Sequence, residues 1–237
     1  MQNKIRLLST RLLDENTTAK TADANIYIHS VSFIQTQSIF SDELTNHLQQ
    51  LATEPLCVVF TSANAVSAVA ELIQQPNWKI FCVSGKTKEH VIAAFGEDAI
   101  LASAKNAHLL AERIIALNSV KKVVFFCGDQ HLNILSQKLL EHNIVTDEII
   151  VYTTLPTPQF IEENYDGILF FSPSAVHSFF SMNTVPIDTV FFSIGDTTTA
   201  AIQSYCTNKI ITSDWPGVES LLEQVTHFYY EASHQVE

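Results

Sequence analysis

Phe60-Thr61-Ser62-Ala63-Asn64-Ala65-Val66 returns 110 residues further on as Phe170-Phe171-Ser172-Pro173-Ser174-Ala175-Val176. In each copy an apolar run of strand length ends on a serine, and a helix-period run begins at once. That order predicts a strand handing over to a helix, with serine as the residue that caps the first turn. Pro173 suits the first helical position, where its missing N–H costs nothing. The same offset of 110 relates Val83-Ser84-Gly85-Lys86-Thr87 to Ser193-Ile194-Gly195-Asp196-Thr197. Asn106-Ala107-His108-Leu109-Leu110 echoes Gly217-Val218-Glu219-Ser220-Leu221-Leu222 with a slip of one or two residues. Matches in one order at a nearly constant offset imply a duplicated unit.

Outward from these motifs, strand-length apolar runs alternate with helical segments. Strands are predicted at Lys4–Leu8, Ile26–Val31, Cys57–Phe60, Lys79–Val83, Lys122–Phe126, Glu148–Tyr152, Gly167–Phe171, Thr189–Ile194 and Lys209–Ile211. Helices are predicted at Asn64–Gln74, Lys86–Phe95, Ala107–Leu117 and Leu132–His142. Many of the strands are apolar throughout rather than alternating, as parallel strands covered on both faces are. The fold class is therefore α/β with parallel sheets. Lys122–Phe126, a helix and Glu148–Tyr152 resemble Lys4–Leu8 followed by Ile26–Val31. This strand–helix–strand piece precedes the serine motif in one copy and follows it in the other, so the chain is expected to make two lobes. One lobe combines residues 1–34 with 157–237, the other is 39–150, and linkers fall at about 35–38 and 151–156. The Thr-Thr-Leu-Pro-Thr-Pro run at 153–158 reads as extended, because each proline disfavours a helical residue before it.

Composition narrows the function. The 237 residues carry a formal net charge of −12, which argues against partners such as nucleic acid or an anionic membrane. A 46% hydrophobic content supports real cores, and no run approaches the ~20 apolar residues of a membrane span. Cys57, Cys82, Cys127 and Cys206 are widely spaced in apolar runs, which reads as buried reduced thiols in a cytoplasmic protein rather than a metal or redox centre. No cofactor is called for, and a monomer suffices.

The chemistry resides at the strand ends. Ligands of open α/β sheets bind outside the carboxyl ends of the strands, where helix N-termini offer N–H groups to anions. Ser62, Ser172 and the Gly85 and Gly195 turns supply such corners, and corners facing one cleft would receive a ligand with several carboxylates or phosphates. Gly85-Lys86-Thr87-Lys88 is not a phosphate-binding P-loop, since Ile80 stands where that motif needs glycine. No GxSxG, HExxH or GxGxxG is present. Asp129, after Gly128, is expected to cap the next helix or to act as a carboxylate at a strand end. Tyr152 ends a strand where a phenol could project into the cleft.

Taken in order, Ser9-Thr10-Arg11, the Phe60–Val66 motif, the Gly85 turn, Phe126-Cys127-Gly128-Asp129, Val151-Tyr152-Thr153, the Phe171–Val176 motif and Ile194-Gly195-Asp196-Thr197-Thr198 resemble the uroporphyrinogen-III synthase family over nearly the whole chain. The resemblance implies two flavodoxin-like lobes joined by a two-stranded linker. It implies closure of hydroxymethylbilane to uroporphyrinogen III with inversion of the terminal pyrrole ring, the substrate carboxylates being held in the inter-lobe cleft by helix N-termini. It assigns Tyr152 to assisting departure of the hydroxyl and Ser62, Ser172, Thr198 and Ser174 to substrate binding. Thr87 and Lys88 join them at the first glycine turn, where the family usually places threonine at the position of Lys88. Cys127 stands where many relatives carry arginine. The alternative reading is a bilobal binding or sensing protein for an anionic small molecule, without chemistry.

Overall fold

The structure is a computed structural model and describes residues 4–19, 25–215 and 217–234. In chain order the elements are β1 (Ile5–Ser9), α1 (Glu15–Ala19), β2 (Ile26–Ser30), β3 (Ile34–Ser38), α2 (Asp42–Ala52), β4 (Leu56–Phe60), α3 (Ala63–Ala70), β5 (Trp78–Val83), α4 (Lys86–Phe95), β6 (Ile100–Ala104), α5 (Ala107–Ala116), β7 (Lys122–Gly128), α6 (Ile134–Leu140) and β8 (Val145–Pro156). They continue with β9 (Gly167–Phe170), α7 (Pro173–Phe180), β10 (Val190–Ser193), α8 (Asp196–Gln203), β11 (Ile210–Thr212) and α9 (Val218–His234). The chain divides into two compact units: unit 1 is Met1–Gln35 with Leu155–Glu237, and unit 2 is Thr36–Thr154. No helix of the described residues is long and apolar enough to cross a membrane.

Unit 1 holds a parallel sheet of order β2-β1-β9-β10-β11. Numbered within the unit, this is the doubly wound 2-1-3-4-5 order of flavodoxin-like folds. The sheet of unit 2 runs β3-β8-β7-β4-β5-β6. Its five strands β8-β7-β4-β5-β6 pair in parallel and reproduce the same order, with the first two positions taken by the last two strands of the unit. The two units are thus flavodoxin-like sheets made from differently cut stretches of chain. β3 lies beside β8 at the edge of the sheet, and the boundaries between the units fall within these two strands.

Covering both faces is what makes the strands apolar throughout. In unit 2, Val58, Phe60, Ile80, Cys82, Val124 and Phe126 join one core with α2, α3 and α4 residues. Their neighbours Val59, Phe81, Val123, Phe125 and Cys127 join a second core with α5 and α6 residues. In unit 1, Leu8, Ile168, Phe170 and Phe191 pack with α7 and α8, while Leu7, Leu169 and Phe192 pack with α9. Successive strand residues serve opposite faces, as the pleat requires.

The repeat is visible in the packing as well. Ala65, Val66, Ala68 and Val69 are the buried residues of α3, and Ala175, Val176, Ser178 and Phe179 are those of α7, at the offset of 110 seen in the sequence. From the next strand onward the offset becomes 111. Phe60 pairs with Cys82 and Phe170 with Ser193, and the inward faces of the following helices are Thr87 and Val91 against Thr198 and Ile202. Gly85 and Gly195, aligned by sequence, therefore stand one residue out of structural register. Two strands exceed the sequence expectation: β3, where a linker was expected, and β6, whose Ile-Leu-Ala-Ser-Ala run is short and mixed because it lies on the sheet edge.

Candidate functional site

In a 2-1-3-4-5 sheet the order reverses between the first and third strands, and the crevice beyond their carboxyl ends is the customary ligand position. That place is the β7/β4 end in unit 2 and the β1/β9 end in unit 1. Both carry a serine-capped helix. Ser62 has extended backbone and its Oγ accepts from Asn64 N at 3.2 Å, opening α3. Ser172 does the same for α7, accepting from Ala175 N at 3.2 Å, with Pro173 in the first turn.

The unit 2 corner holds a hydroxyl pair. Tyr152, on β8, donates its phenol proton to Ser62 Oγ at 3.1 Å. The Ser62 oxygen then accepts from both Asn64 N and Tyr152, which leaves its own proton free to donate elsewhere. The tyrosine ring lies over Gly128 at the end of β7. A Cβ at residue 128 would stand 2.6 Å from Tyr152 Cε2 and 2.7 Å from its hydroxyl oxygen, so only glycine admits the ring there. Burial pushes the Tyr152 phenol above its ordinary value, the Ser62 hydrogen bond draws it back, and Cys127 and Asp129 add to the rise. Tyr152 is thus a neutral phenol, suited to donating or accepting a hydrogen bond and unsuited to being a phenolate near neutrality. Cys127, beside Gly128, has its thiol pushed up to about 12 by burial and by Glu148, so it is an inert packing thiol.

Asp129 caps no helix. Its Oδ1 accepts from Thr154 N at 2.9 Å, and its own N donates to Tyr152 O at 3.1 Å. Helix α6 starts five residues later, with Asn133 in the cap position.

The unit 1 corner is built differently. Thr10 N and Oγ1 both donate to Leu169 O, at 3.0 and 2.8 Å, closing the gap between β1 and β9. Exposed Arg11 follows, its guanidinium 5.9 Å from the centre of the Phe171 ring. Register places Arg11 where unit 2 has Cys127, because Ser9 faces Leu169 as Phe125 faces Val59. Unit 1 thus carries a cation at the site of the buried thiol. Half-buried Ser174 lies in the first turn of α7 behind Ser172.

Of the residues singled out from the sequence, the structure brings Tyr152 and Ser62 into contact, and sets Ser172 and Ser174 in one helical turn. Thr87 and Thr198 lie in the first turns of α4 and α8, at 7% and 1% exposure. With the register of 111, Thr87 occupies the position of Thr198, and half-buried Lys88 corresponds to Thr199 instead. The apparent loss of a threonine at the first glycine turn is therefore removed. Thr199 joins a hydroxyl chain with Ser193 and with Thr212, the latter at 2.6 Å. Neither α4 nor α8 has a side-chain cap, since glycine precedes each. Asp196 is exposed. Gly128 and Arg11 were not singled out as functional; only the strand register reveals what each sits against. Among the described residues, no cluster of three or more His, Cys, Asp or Glu is placed to hold a metal ion.

Comparison with known proteins agrees with this fold. The family model described as uroporphyrinogen-III synthase HemD matches residues 17–223. A uroporphyrinogen-III synthetase from Helicobacter pylori superposes with a TM-score of 0.65 at 16% identity, covering 94% of this chain and 99% of that one. A mutant uroporphyrinogen III synthase from Thermus thermophilus superposes with a TM-score of 0.61 at 14% identity, covering 96% of this chain and 99% of that one. These likenesses establish the fold. No curated protein matches the sequence.

Proposed function

The chain belongs to the uroporphyrinogen-III synthase family, and on that footing we propose that it is a cyclising lyase converting hydroxymethylbilane to uroporphyrinogen III, a step of porphyrin and heme biosynthesis, with inversion of the terminal pyrrole ring. The observation that carries the reading is the Tyr152–Ser62 hydroxyl pair seated over Gly128 at the switch point of unit 2.

The reaction asks little covalent chemistry of the protein. The hydroxyl of the terminal hydroxymethyl group leaves as water, taking up one proton while the N–H of its own pyrrole gives one up, and an electrophilic azafulvene remains. The substituted carbon of the last ring attacks it to give a spiro intermediate. This breaks the original bond from that carbon to its neighbouring methylene and recloses at the ring's unsubstituted carbon, which then loses its proton. The pyrroles supply the electrons throughout. The protein has to hold one conformation and assist the departing hydroxyl. A neutral phenol suits that assistance. Tyr152 can hydrogen-bond the leaving oxygen, and the free proton of Ser62 lies beside it. Such a bond is a moderate aid rather than full proton transfer, because a phenol with a raised pKa is a weak acid near neutrality.

Holding the conformation falls to the helix starts. Ser62 and Ser172, with Ser174, offer hydroxyls at α3 and α7. At α4 and α8 the glycine caps leave first-turn N–H groups available to carboxylates, with Lys88 adding charge at α4 and buried Thr87 and Thr198 fixing the turns. Arg11 is an added cation in unit 1. Fresh hydroxymethylbilane incubated with the protein should give mostly the type III isomer. Product of the type I isomer alone, as in unassisted closure, would refute the reading; stoichiometric binding without turnover would replace it by the sensing alternative.

A further inference from the structure

We propose that Asp129 is a positioning residue that aims Tyr152, acting through the end of β8; the inference rests on the role given to Tyr152 above and deepens it.

β7 and β8 pair one for one from Lys122 with Val145 to Cys127 with Ile150, and then Gly128 pairs with Tyr152. One extra residue, Val151, has entered β8. Strict alternation would put Tyr152 on the same face as Ile150, which is 44% exposed. Instead Ile149, Val151 and Tyr152 all pack against the same core of unit 2. The bulge re-aims the tyrosine, as bulges beside functional sites commonly do.

A bulge at the end of a ladder needs something beyond it to hold the strand. β7 supplies no further main-chain acceptor there, because the chain turns away after Gly128: His131 N donates to Gly128 O at 3.2 Å and the His131 ring nitrogen Nδ1 lies 2.9 Å from the same oxygen. Asp129 makes up the deficit. Its main-chain N donates to Tyr152 O, and its side-chain Oδ1 takes the N–H of Thr154 that the next rung of β7 would have taken. Gln130 Nε2 donates to Thr154 O at 3.2 Å, on the other side of the same residue. The loop is itself tied back to β8, since His131 Nε2 lies 3.2 Å from Glu148 Oε2, and Ser136 donates to the other oxygen of that carboxylate. Gly128 leaves room for the ring, and Ser62 receives its proton. β8 is paired with β3 along its other edge. On the β7 edge Thr154 is held by Gln130 at its carbonyl and by the Asp129 carboxylate, which takes its main-chain N–H.

Asp129 is exposed, so its removal should leave the fold intact, which a denaturant unfolding curve checks. The test compares Asp129→Ala, Asp129→Asn, Tyr152→Phe and the double variant Asp129→Ala/Tyr152→Phe. Asp129→Ala should lower kcat for type III formation about tenfold, with KM little changed. Asp129→Asn keeps the Oδ1 acceptor and should recover most of that loss. The double variant should be no slower than Tyr152→Phe alone, because a positioning residue has nothing left to aim. Independently of activity, alkaline absorbance titration of the protein minus that of its Tyr152→Phe variant isolates the Tyr152 phenol. Asp129→Ala and Asp129→Asn both remove the charge that adds to the rise, so the midpoint should fall further in Asp129→Ala than in Asp129→Asn, where the kept acceptor still seats the ring. Additive losses, or equal midpoints in the two Asp129 variants, would overturn the proposal. If the unaltered protein makes no type III isomer, the proposed function fails, and the titration arm alone still decides whether Asp129 seats Tyr152.

Discussion

Unit 1 and unit 2 share a strand order, two covered sheet faces and a serine-capped helix beyond the third strand, yet their switch points hold different chemistry. Unit 2 presents a neutral phenol on a serine hydroxyl, over a glycine that follows a buried thiol in the chain. Unit 1 presents an exposed guanidinium over Phe171, beside a serine-capped helix that opens with proline. Residues between the faces are constrained from both sides, so Phe60 and Phe170 remain the same. At the strand ends the surroundings differ: Cys127 still packs in a core of unit 2, whereas Arg11 stands past β1 in solvent, and the two have diverged. On the proposed reading, one half offers hydrogen bonds for a leaving group, and the other a charge for carboxylates.

The largest effects should fall on what is common. Phe60 stacks 5.3 Å from Phe126, and Phe170 packs edge-on 5.5 Å from Phe179; both are fully buried. Phe60→Ala and Phe170→Ala should each destabilise the chain by about 3–5 kcal/mol in denaturant unfolding. A loss below about 1 kcal/mol at either position would break the equivalence of the two cores. Next come the groups that differ. Tyr152→Phe should lower kcat by about 10–100-fold, the lower part of the range for a positioned proton donor. Arg11→Ala should instead raise KM about tenfold, the worth of a charge-assisted hydrogen bond to a carboxylate, with kcat little changed. Both substitutions acting on the same kinetic constant would remove the division of labour.

Much of this comparison could be read from the sequence, because burial on both faces writes itself into apolar runs. Phe60–Val66 and Phe170–Val176 gave the repeat, and the displaced Lys122–Tyr152 piece gave the permutation of the strands. Register was less legible. Gly85 and Gly195 align as letters, but Cys82 stands opposite Ser193, so the true partner of Thr198 is Thr87 and not Lys88. Asp129 was ambiguous for a similar reason: its partner, Thr154, lies 25 residues away on another strand. Gly128 shows no need for glycine until the bulge at Val151 turns Tyr152 over it. Local patterns report which side of an element is buried; they do not report a one-residue slip between strands.

A smaller difference separates the two caps. Ser62→Ala and Ser172→Ala each remove one hydrogen bond to a first-turn N–H and should each cost about 1 kcal/mol of stability. Ser62→Ala also strands the Tyr152 phenol, so it should reduce kcat more than Ser172→Ala does, at equal loss of stability. Equal kinetic effects would mean that the phenol does not depend on its serine.

The smallest expected effect is none, and it tests what sets the phenol apart from the guanidinium corner. Burial, the leading influence on Tyr152, disfavours its charged form and raises its pKa. A group whose folded value is raised contributes stability that is fully present below its unfolded value, about 10 for tyrosine, and that is lost as pH rises through the folded value. Between about pH 6 and 9 the phenol is therefore protonated in both folded and unfolded chains. The ratio of turnover in the unaltered protein to that in Tyr152→Phe should stay flat across that range, whatever pH dependence the two share. A ratio that declined toward pH 9 would mean that the phenol ionises early, and a neutral hydrogen bond could then no longer be the contribution of Tyr152.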